Sequence, residues 1–207
     1  MISLFIDTSL TNVSISVLKD SKTLSLISKE IPNMHSAYVT KFIKDCLDEA
    51  HIDANDIENI MVVSGPGSFT GVRIGVTIAK TYGYLIKKDI IPLSSLKSLA
   101  ISANHKGPIM SIIPANKNSY YVGIYDDNYN EVIKEACMNK KDIHDLCKEY
   151  NPYIVGIDAN VIGTYKVHRQ ELNIPKIVNY YLDKEKVNYY KLVPNYLKLP
   201  QALEGQE

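Results

Sequence analysis

The stretch Ile60-Met61-Val62-Val63-Ser64-Gly65-Pro66-Gly67-Ser68-Phe69-Thr70-Gly71-Val72-Arg73-Ile74-Gly75 runs from an apolar segment through a glycine-rich loop into a helix-forming segment. Residues 60–63 read as a buried strand, and the segment after the loop reads as a helix reaching residue 87. A strand that turns directly into a helix is the building unit of a parallel or mixed sheet covered by helices. The loop invites a phosphate-binding reading, but its spacing fails the two commonest templates. A GxGxxG fingerprint starting at Gly65 needs glycine where Thr70 stands, and no Gly-Lys-Ser/Thr follows at P-loop spacing. Two readings stay open. Either the helix N-terminus offers free N–H groups to an anion, with Gly65, Gly67, Ser68, Thr70 and Arg73 as the candidate loop, or the loop is a structural tight turn. Arginine occurs only at Arg73 and Arg169 in a chain whose usual cation is lysine, which points to forked hydrogen bonding at Arg73.

Beyond the loop, Gly71, Gly75, Ala79 and Gly83 recur every fourth residue and line one helix face almost bare of side chains. Each glycine costs about 1 kcal/mol relative to alanine in a helix interior, so close approach of another backbone is the expected offset. That backbone is either the protein's own sheet or a partner chain. On the partner reading, Val72, Val76, Tyr82 and Ile86 flank the contact, and leucine at Gly75 or Ala79 blocks pairing without unfolding the chain.

Upstream, residues 2–6 form a short apolar run of strand type. Val13, Ile15 and Val17 alternate with Ser14, Ser16 and Leu18 as a second strand, and residues 23–31 pair with it across a turn at 19–22. Pro32-Asn33 stops the third strand. Residues 35–50 carry Val39, Phe42, Ile43, Cys46, Leu47 and Ala50 on one helical face, with Ser36 as the expected N-cap. Downstream, 90–93 reads as a strand and 94–103 as a helix. The turn cluster Asn104-His105-Lys106-Gly107-Pro108 marks a boundary between a lobe at 1–103 and a second at 104–207. The order then recurs in a weaker, partly degenerate form: strands at 109–113, 120–125 and 131–135, a helix at 142–150, and a strand at 153–157, ending in a polar tail from Leu182. Two βββαβα-type lobes with mixed sheets covered by helices define the α/β actin-like ATPase (ASKHA) fold, which is shared by proteins of many functions.

With 23 basic and 23 acidic residues the net charge is zero, which argues against nucleic-acid binding by this chain alone, though not against a local basic patch. The N-terminal run is too short for a signal peptide and no segment reaches membrane-spanning length, so a cytoplasmic location is expected. Cys46, Cys137 and Cys147 show no CxxC spacing and predict neither disulfides nor a zinc knuckle.

The histidines His35, His51, His105, His144 and His168 form no HxxxH or HExxH pair, and no GxSxG elbow occurs. No catalytic or metal-binding residue is therefore predicted. Asp7-Thr8-Ser9 ends the first strand where actin-like ATPases hold metal and phosphate. The following Leu10-Thr11-Asn12 lacks the glycine usual there. These residues read either as a vestigial phosphate hairpin or as a turn capped by Asp7.

The segments Phe5-Ile6-Asp7-Thr8-Ser9, His35-Ser36, Gly65 through Gly75 and, near the end, Pro194-Asn195-Tyr196-Leu197-Lys198 are similar to those of the TsaB/YeaZ family, with residues 65–75 the most specific match. This resemblance implies a part in making N6-threonylcarbamoyladenosine on the tRNA adenosine 3′ of the anticodon. It implies a non-catalytic scaffold or activating subunit rather than an enzyme in its own right. The transfer itself belongs to the related actin-like subunit TsaD, which carries metal-binding histidines that this chain lacks. The resemblance further implies direct pairing with TsaD through first-lobe helices, here Val39, Phe42, Ile43, Cys46, Gly71, Val72, Gly75, Val76, Ala79, Tyr82 and Gly83. It also implies that TsaE joins the assembly, that tRNA is met indirectly, and that nucleotide is bound only within the complex. Without TsaD the same surface offers a homodimer contact. Where many relatives carry an Asp-Ala-Arg-type segment, this chain has Pro114-Ala115-Asn116-Lys117. The competing reading is a stand-alone actin-like kinase or ATPase, or a glycoprotease-type hydrolase.

Overall fold

Alternating apolar positions early in the chain build a five-stranded sheet whose central strands are covered on both faces. The structure, a computed structural model, describes residues 1–31, 36–116, 118–157 and 161–197. The expected stop at Pro32-Asn33, the expected helix start at His35, and Lys117 and Lys198 lie outside these residues. Strands β1 (Ile2–Asp7), β2 (Asn12–Lys19) and β3 (Lys22–Glu30) form an antiparallel meander, and β4 (Asn59–Gly65) and β5 (Ile90–Ser94) add in parallel beside β1. The order is β3-β2-β1-β4-β5. Asp20 and Ser21 both have positive φ, 48° and 63°, as the tight β2–β3 turn requires.

Helices α1 (Ser36–Ala50) and α2 (Phe69–Ile86) pack on one face of this sheet. Leu4, Ile6, Ile15, Val17, Ile60 and Val62 meet Val39, Ile43, Val72, Val76 and Ala79 there in one apolar core. Ser36 is already helical in α1 and so is not its cap. Ser14 and Ser16, which alternate with the apolar positions of β2, are buried as well. Ser14 shares a hydrogen bond with Ser28, and the Ser16 hydroxyl donates to the Ser25 carbonyl, so neither is left unsatisfied.

A second sheet repeats the plan. Strands β6 (Ile109–Pro114), β7 (Ser119–Tyr125) and β8 (Glu131–Asn139) form a meander, followed by α4 (Lys140–Tyr150) and a parallel strand β9 (Tyr153–Gly156). Helix α3 (Ser95–Ser102) precedes them. The order β12-β9-β6-β7-β8 mirrors the first sheet, with β12 (His168–Arg169) in the place of β5. Helix α4 starts two residues before the expected 142 because Asn139 and Asp142 form a capping box. Between β9 and β12, where the first sheet has α2, the described residues form only the small hairpin of β10 (Val161–Ile162) and β11 (Tyr165–Lys166). Two mixed five-stranded sheets with helices, in matching strand order, make this the α/β actin-like fold.

The compact units are not the expected halves at 1–103 and 104–207. Among the described residues, unit 1 comprises those within 1–95 and 173–195; unit 2 comprises those within 96–172 with 196–197. Helix α5 (Ile174–Tyr181) returns to the first unit and packs against β1. Its buried Ile174, Ile177, Val178 and Tyr181 take no part in the core closed by α1 and α2, so it lies on the sheet's other face.

Candidate functional site

The glycine-rich loop is built from contacts inside unit 1. Gly65 ends β4 with φ +118°, and a side chain there would sit 2.7 Å from the Asn195 carbonyl oxygen. The Asn195 N–H donates to the Ser64 carbonyl at 2.7 Å. Two segments that match the same family from opposite ends of the chain thus meet at one point. The Gly65–Pro66 bond is cis, and the Ser95 hydroxyl donates to the Pro66 carbonyl.

Gly67 and Gly71 face the turn between β1 and β2. A Cβ on Gly67 would overlap the Ser9 carbonyl, and one on Gly71 would overlap the Thr8 carbonyl. The Ser68 N–H donates to the Ser9 carbonyl at 2.8 Å, and the Thr8 hydroxyl donates to the Gly71 carbonyl at 2.7 Å. A Cβ on Gly75 would collide with Thr8 Oγ1. Gly83 completes the stripe against the Lys88 carbonyl, 2.8 Å from its would-be Cβ, and the Tyr189 side chain. Of the two readings left open by the sequence, the small-residue face is therefore packed on the protein's own backbone.

This corrects the expected contact surface. Val39, Phe42, Ile43, Cys46, Gly71, Val72, Gly75, Val76, Ala79 and Gly83 are all buried, and Tyr82 is half-buried against the same core. What α2 leaves toward solvent is another stripe, which shares only Tyr82 with the expected set. Ile74, Ile78 and Tyr82 are half-buried, and Leu85 is 65% exposed. Their spacing of four, four and three places them along one helical flank.

At the loop, Ser68 is the N-cap of α2 and its hydroxyl oxygen accepts from the Gly71 N–H. Two loop amides, those of Ser68 and Gly71, are thus already engaged internally. Thr70 and Arg73 are exposed, and the Arg73 guanidinium lies 3.8 Å from the centre of the Phe69 ring.

Asp7, Thr8 and Ser9 are brought together with the loop and are almost fully buried. Asp7 Oδ1 accepts from the Ser9 N–H at 2.8 Å and the Ser9 hydroxyl at 2.7 Å, the turn-capping geometry. Burial raises the Asp7 carboxyl from 3.8 to about 6, and the two Ser9 hydrogen bonds offset only part of that. A folded value above the unfolded one favours folding fully at about pH 4 and below; that contribution fades as pH rises to about 6. Near neutrality the fold holds a buried carboxylate at a cost of about 2–3 kcal/mol. Asp7→Asn keeps the acceptor for Ser9 and removes the charge. It is expected to stabilise the protein by about 2 kcal/mol near pH 7 and by almost nothing near pH 4. Urea denaturation across that range checks this, and an equal gain at both ends would contradict it.

Three of the five histidines lie against tyrosines. His105 and His168 each stack on Tyr153, with ring centres 4.2 and 4.4 Å away, and His144 lies against Tyr165. Among the described residues no three His, Cys, Asp or Glu side chains gather as a metal site. Cys46, Cys137 and Cys147 are free thiols. No helix among the described residues is long and apolar enough to cross a membrane.

Sheet order and helix placement define a protein of the actin-like α/β class. Residues 28–187 match the family model described as TsaD, tRNA N6-adenosine threonylcarbamoyltransferase. The chain belongs to that family, on its TsaB/YeaZ side. It is 28% identical to the tRNA threonylcarbamoyladenosine biosynthesis protein TsaB of Bacillus subtilis, over 98% of this chain and 96% of that one. A tRNA N6-adenosine threonylcarbamoyltransferase of Streptococcus uberis is 27% identical over 63% of this chain but only 40% of its own length. The structure of YeaZ from Pseudomonas aeruginosa superposes with a TM-score of 0.77 at 20% identity, covering 95% of this chain and 99% of that one.

Proposed function

We propose that this chain is the non-catalytic scaffold or activating subunit of the assembly that installs N6-threonylcarbamoyladenosine on tRNA. It works in the cytoplasm and binds a TsaD subunit directly through the first-unit helices. The observation that carries this reading is the division of labour on α2. Its glycine face is consumed internally, while Ile74, Ile78, Tyr82 and Leu85 remain as an apolar flank at the surface. The full-length similarity to TsaB of Bacillus subtilis and the partial similarity to the transferase support a pairing of two paralogues. TsaE joins the pair, nucleotide is bound only within the complex, and the same flank supports a homodimer when TsaD is absent.

Size-exclusion chromatography of the chain with and without purified TsaD tests the proposal; separate elution at micromolar concentrations would overturn it. The competing reading, a stand-alone kinase, ATPase or glycoprotease-type hydrolase, requires the isolated chain to bind ATP with magnesium or to cleave substrate. Calorimetry with ATP and magnesium distinguishes the two, the scaffold reading requiring no heat of binding. The exposed Arg73 carries a separate expectation. If its guanidinium holds an anion inside the complex, Arg73→Ala lowers tRNA-modifying activity about tenfold or more while leaving co-elution with TsaD intact. Unchanged activity would remove that role.

A further inference from the structure

The flank of α2 opposite to the apolar one carries a second surface. There the segment from Val187 to Leu192 docks along β5 and α2 through defined bonds. Val187 and Ile90 exchange backbone hydrogen bonds at 2.7 and 2.9 Å. The Asn188 side-chain amide donates to Asp89, and its carbonyl oxygen accepts from the Tyr190 N–H. Lys80 Nζ donates to the carbonyls of Tyr190 and Leu192, and the Leu192 side chain is buried in the core. A segment held this way has already lost its conformational freedom before any partner arrives.

What it holds is a cluster of tyrosines. The Tyr189 and Tyr190 ring centres are 4.5 Å apart, and both stand edge-on to Tyr84 at 6.0 and 6.3 Å. Tyr84 is 49% exposed and Tyr190 67% exposed, although both rings are large and partly apolar. Around them the sequence is basic in a chain that is neutral as a whole. Residues 80–89 and 184–193 together contain six lysines against Asp89 and Glu185. Lys87 Nζ lies 4.0 Å from the centre of the Tyr84 ring, and Lys191 follows Tyr190 on the exposed side.

Exposed aromatic rings alone would suit a protein partner as well. The lysines decide between the two, because lysine is depleted in protein–protein interfaces while cations beside stacking rings suit unpaired nucleotides. We propose that the surface formed by Tyr84, Tyr190, Lys87 and Lys191 binds an unpaired stretch of RNA, bases stacking on the tyrosines and phosphates meeting the lysines. Given the proposed function, that RNA is the single-stranded loop of the tRNA being modified. This contact is direct, and it lies on the opposite flank of α2 from the TsaD-binding stripe.

The experiment uses the full chain and a labelled tRNA anticodon stem-loop, with a loopless RNA duplex of the same length as control. The chain contains no tryptophan, so its tyrosine emission can be followed directly as bases stack. The expected result is salt-sensitive binding of the stem-loop with quenched tyrosine emission, and weaker binding of the duplex. Tyr190→Ala is expected to weaken stem-loop binding about tenfold or more, and Lys191→Glu to lower the slope of affinity against salt. Both variants should retain the parent's thermal unfolding and its co-elution with TsaD. Equal binding of duplex and stem-loop, or unchanged affinity in Tyr190→Ala, would overturn the proposal. Failure of the parent chain to pair with TsaD would instead count against the proposed function.

Discussion

Gly71→Ala is expected to destabilise the first unit by about 2 kcal/mol, a fall in melting temperature of about 4–8 °C. The added methyl points at the Thr8 carbonyl oxygen, which sits in a buried turn between two strands of the sheet. Backbone in that position cannot move aside as the end of a flexible side chain can. Overpacking of this kind costs about 3 kcal/mol, and the better helix propensity of alanine returns about 1 kcal/mol. Gly75→Ala differs in one respect that makes the cause testable: its methyl meets the Thr8 side chain, at Oγ1. Thr8→Ala should therefore rescue most of the Gly75→Ala loss and none of the Gly71→Ala loss. Chemical denaturation of the parent, the three single variants and the two pairs with Thr8→Ala completes two double-mutant cycles. Additive losses in the Thr8→Ala/Gly75→Ala pair would show that the stripe is not packed as described. The same geometry withdraws the expectation that leucine at Gly75 or Ala79 would block pairing in a folded chain: Ala79 is fully buried and Gly75 has no room.

The second large effect concerns the partner. Leu85→Asp is expected to weaken association with TsaD by at least about thirtyfold, because the charge must be desolvated in the middle of an apolar contact. Ile78→Asp should act in the same direction. Leu85 is the cleaner probe, since it is mostly exposed and its replacement leaves the core untouched, whereas Ile78 also packs against that core. Sedimentation or co-elution with purified TsaD reads the effect, with circular dichroism as the control for folding. Undiminished association of both variants would place the contact elsewhere.

Much of the fold was legible from local pattern. β1, β2, β3, α1, β4 and α2 fall near their expected positions, because period-two and period-3.6 apolar spacing is imposed by the faces each element must bury. The element order from β6 to β9 followed from the recurrence of the first lobe, whereas the two-residue β12 is too short to give a pattern. Helix α5 and the return of 173–195 to the first unit were not legible: an eight-residue helix gives little periodic signal, and its packing on β1 joins residues far apart in sequence. The site was half legible. Four-residue spacing of glycines told that something approaches closely, but only the structure identifies it as the Thr8–Ser9 turn. The flank Ile74, Ile78, Tyr82 and Leu85 was hidden in plain view, since in a helix this apolar nearly every position reads as core. The tyrosine cluster carried no spacing signature, because Tyr84 and Tyr190 come from segments a hundred residues apart.

The discontinuous first unit has a bearing on how the chain matures. Its central strand β1 is made first, yet α5, which covers one side of that strand, is made after every strand of the second sheet. During synthesis the second sheet can therefore assemble while the first still shows an uncovered apolar face to solvent. Fragments ending near residue 103 would carry that same exposed face permanently. They are poor material for mapping where partners bind, because they would stick to many surfaces rather than one.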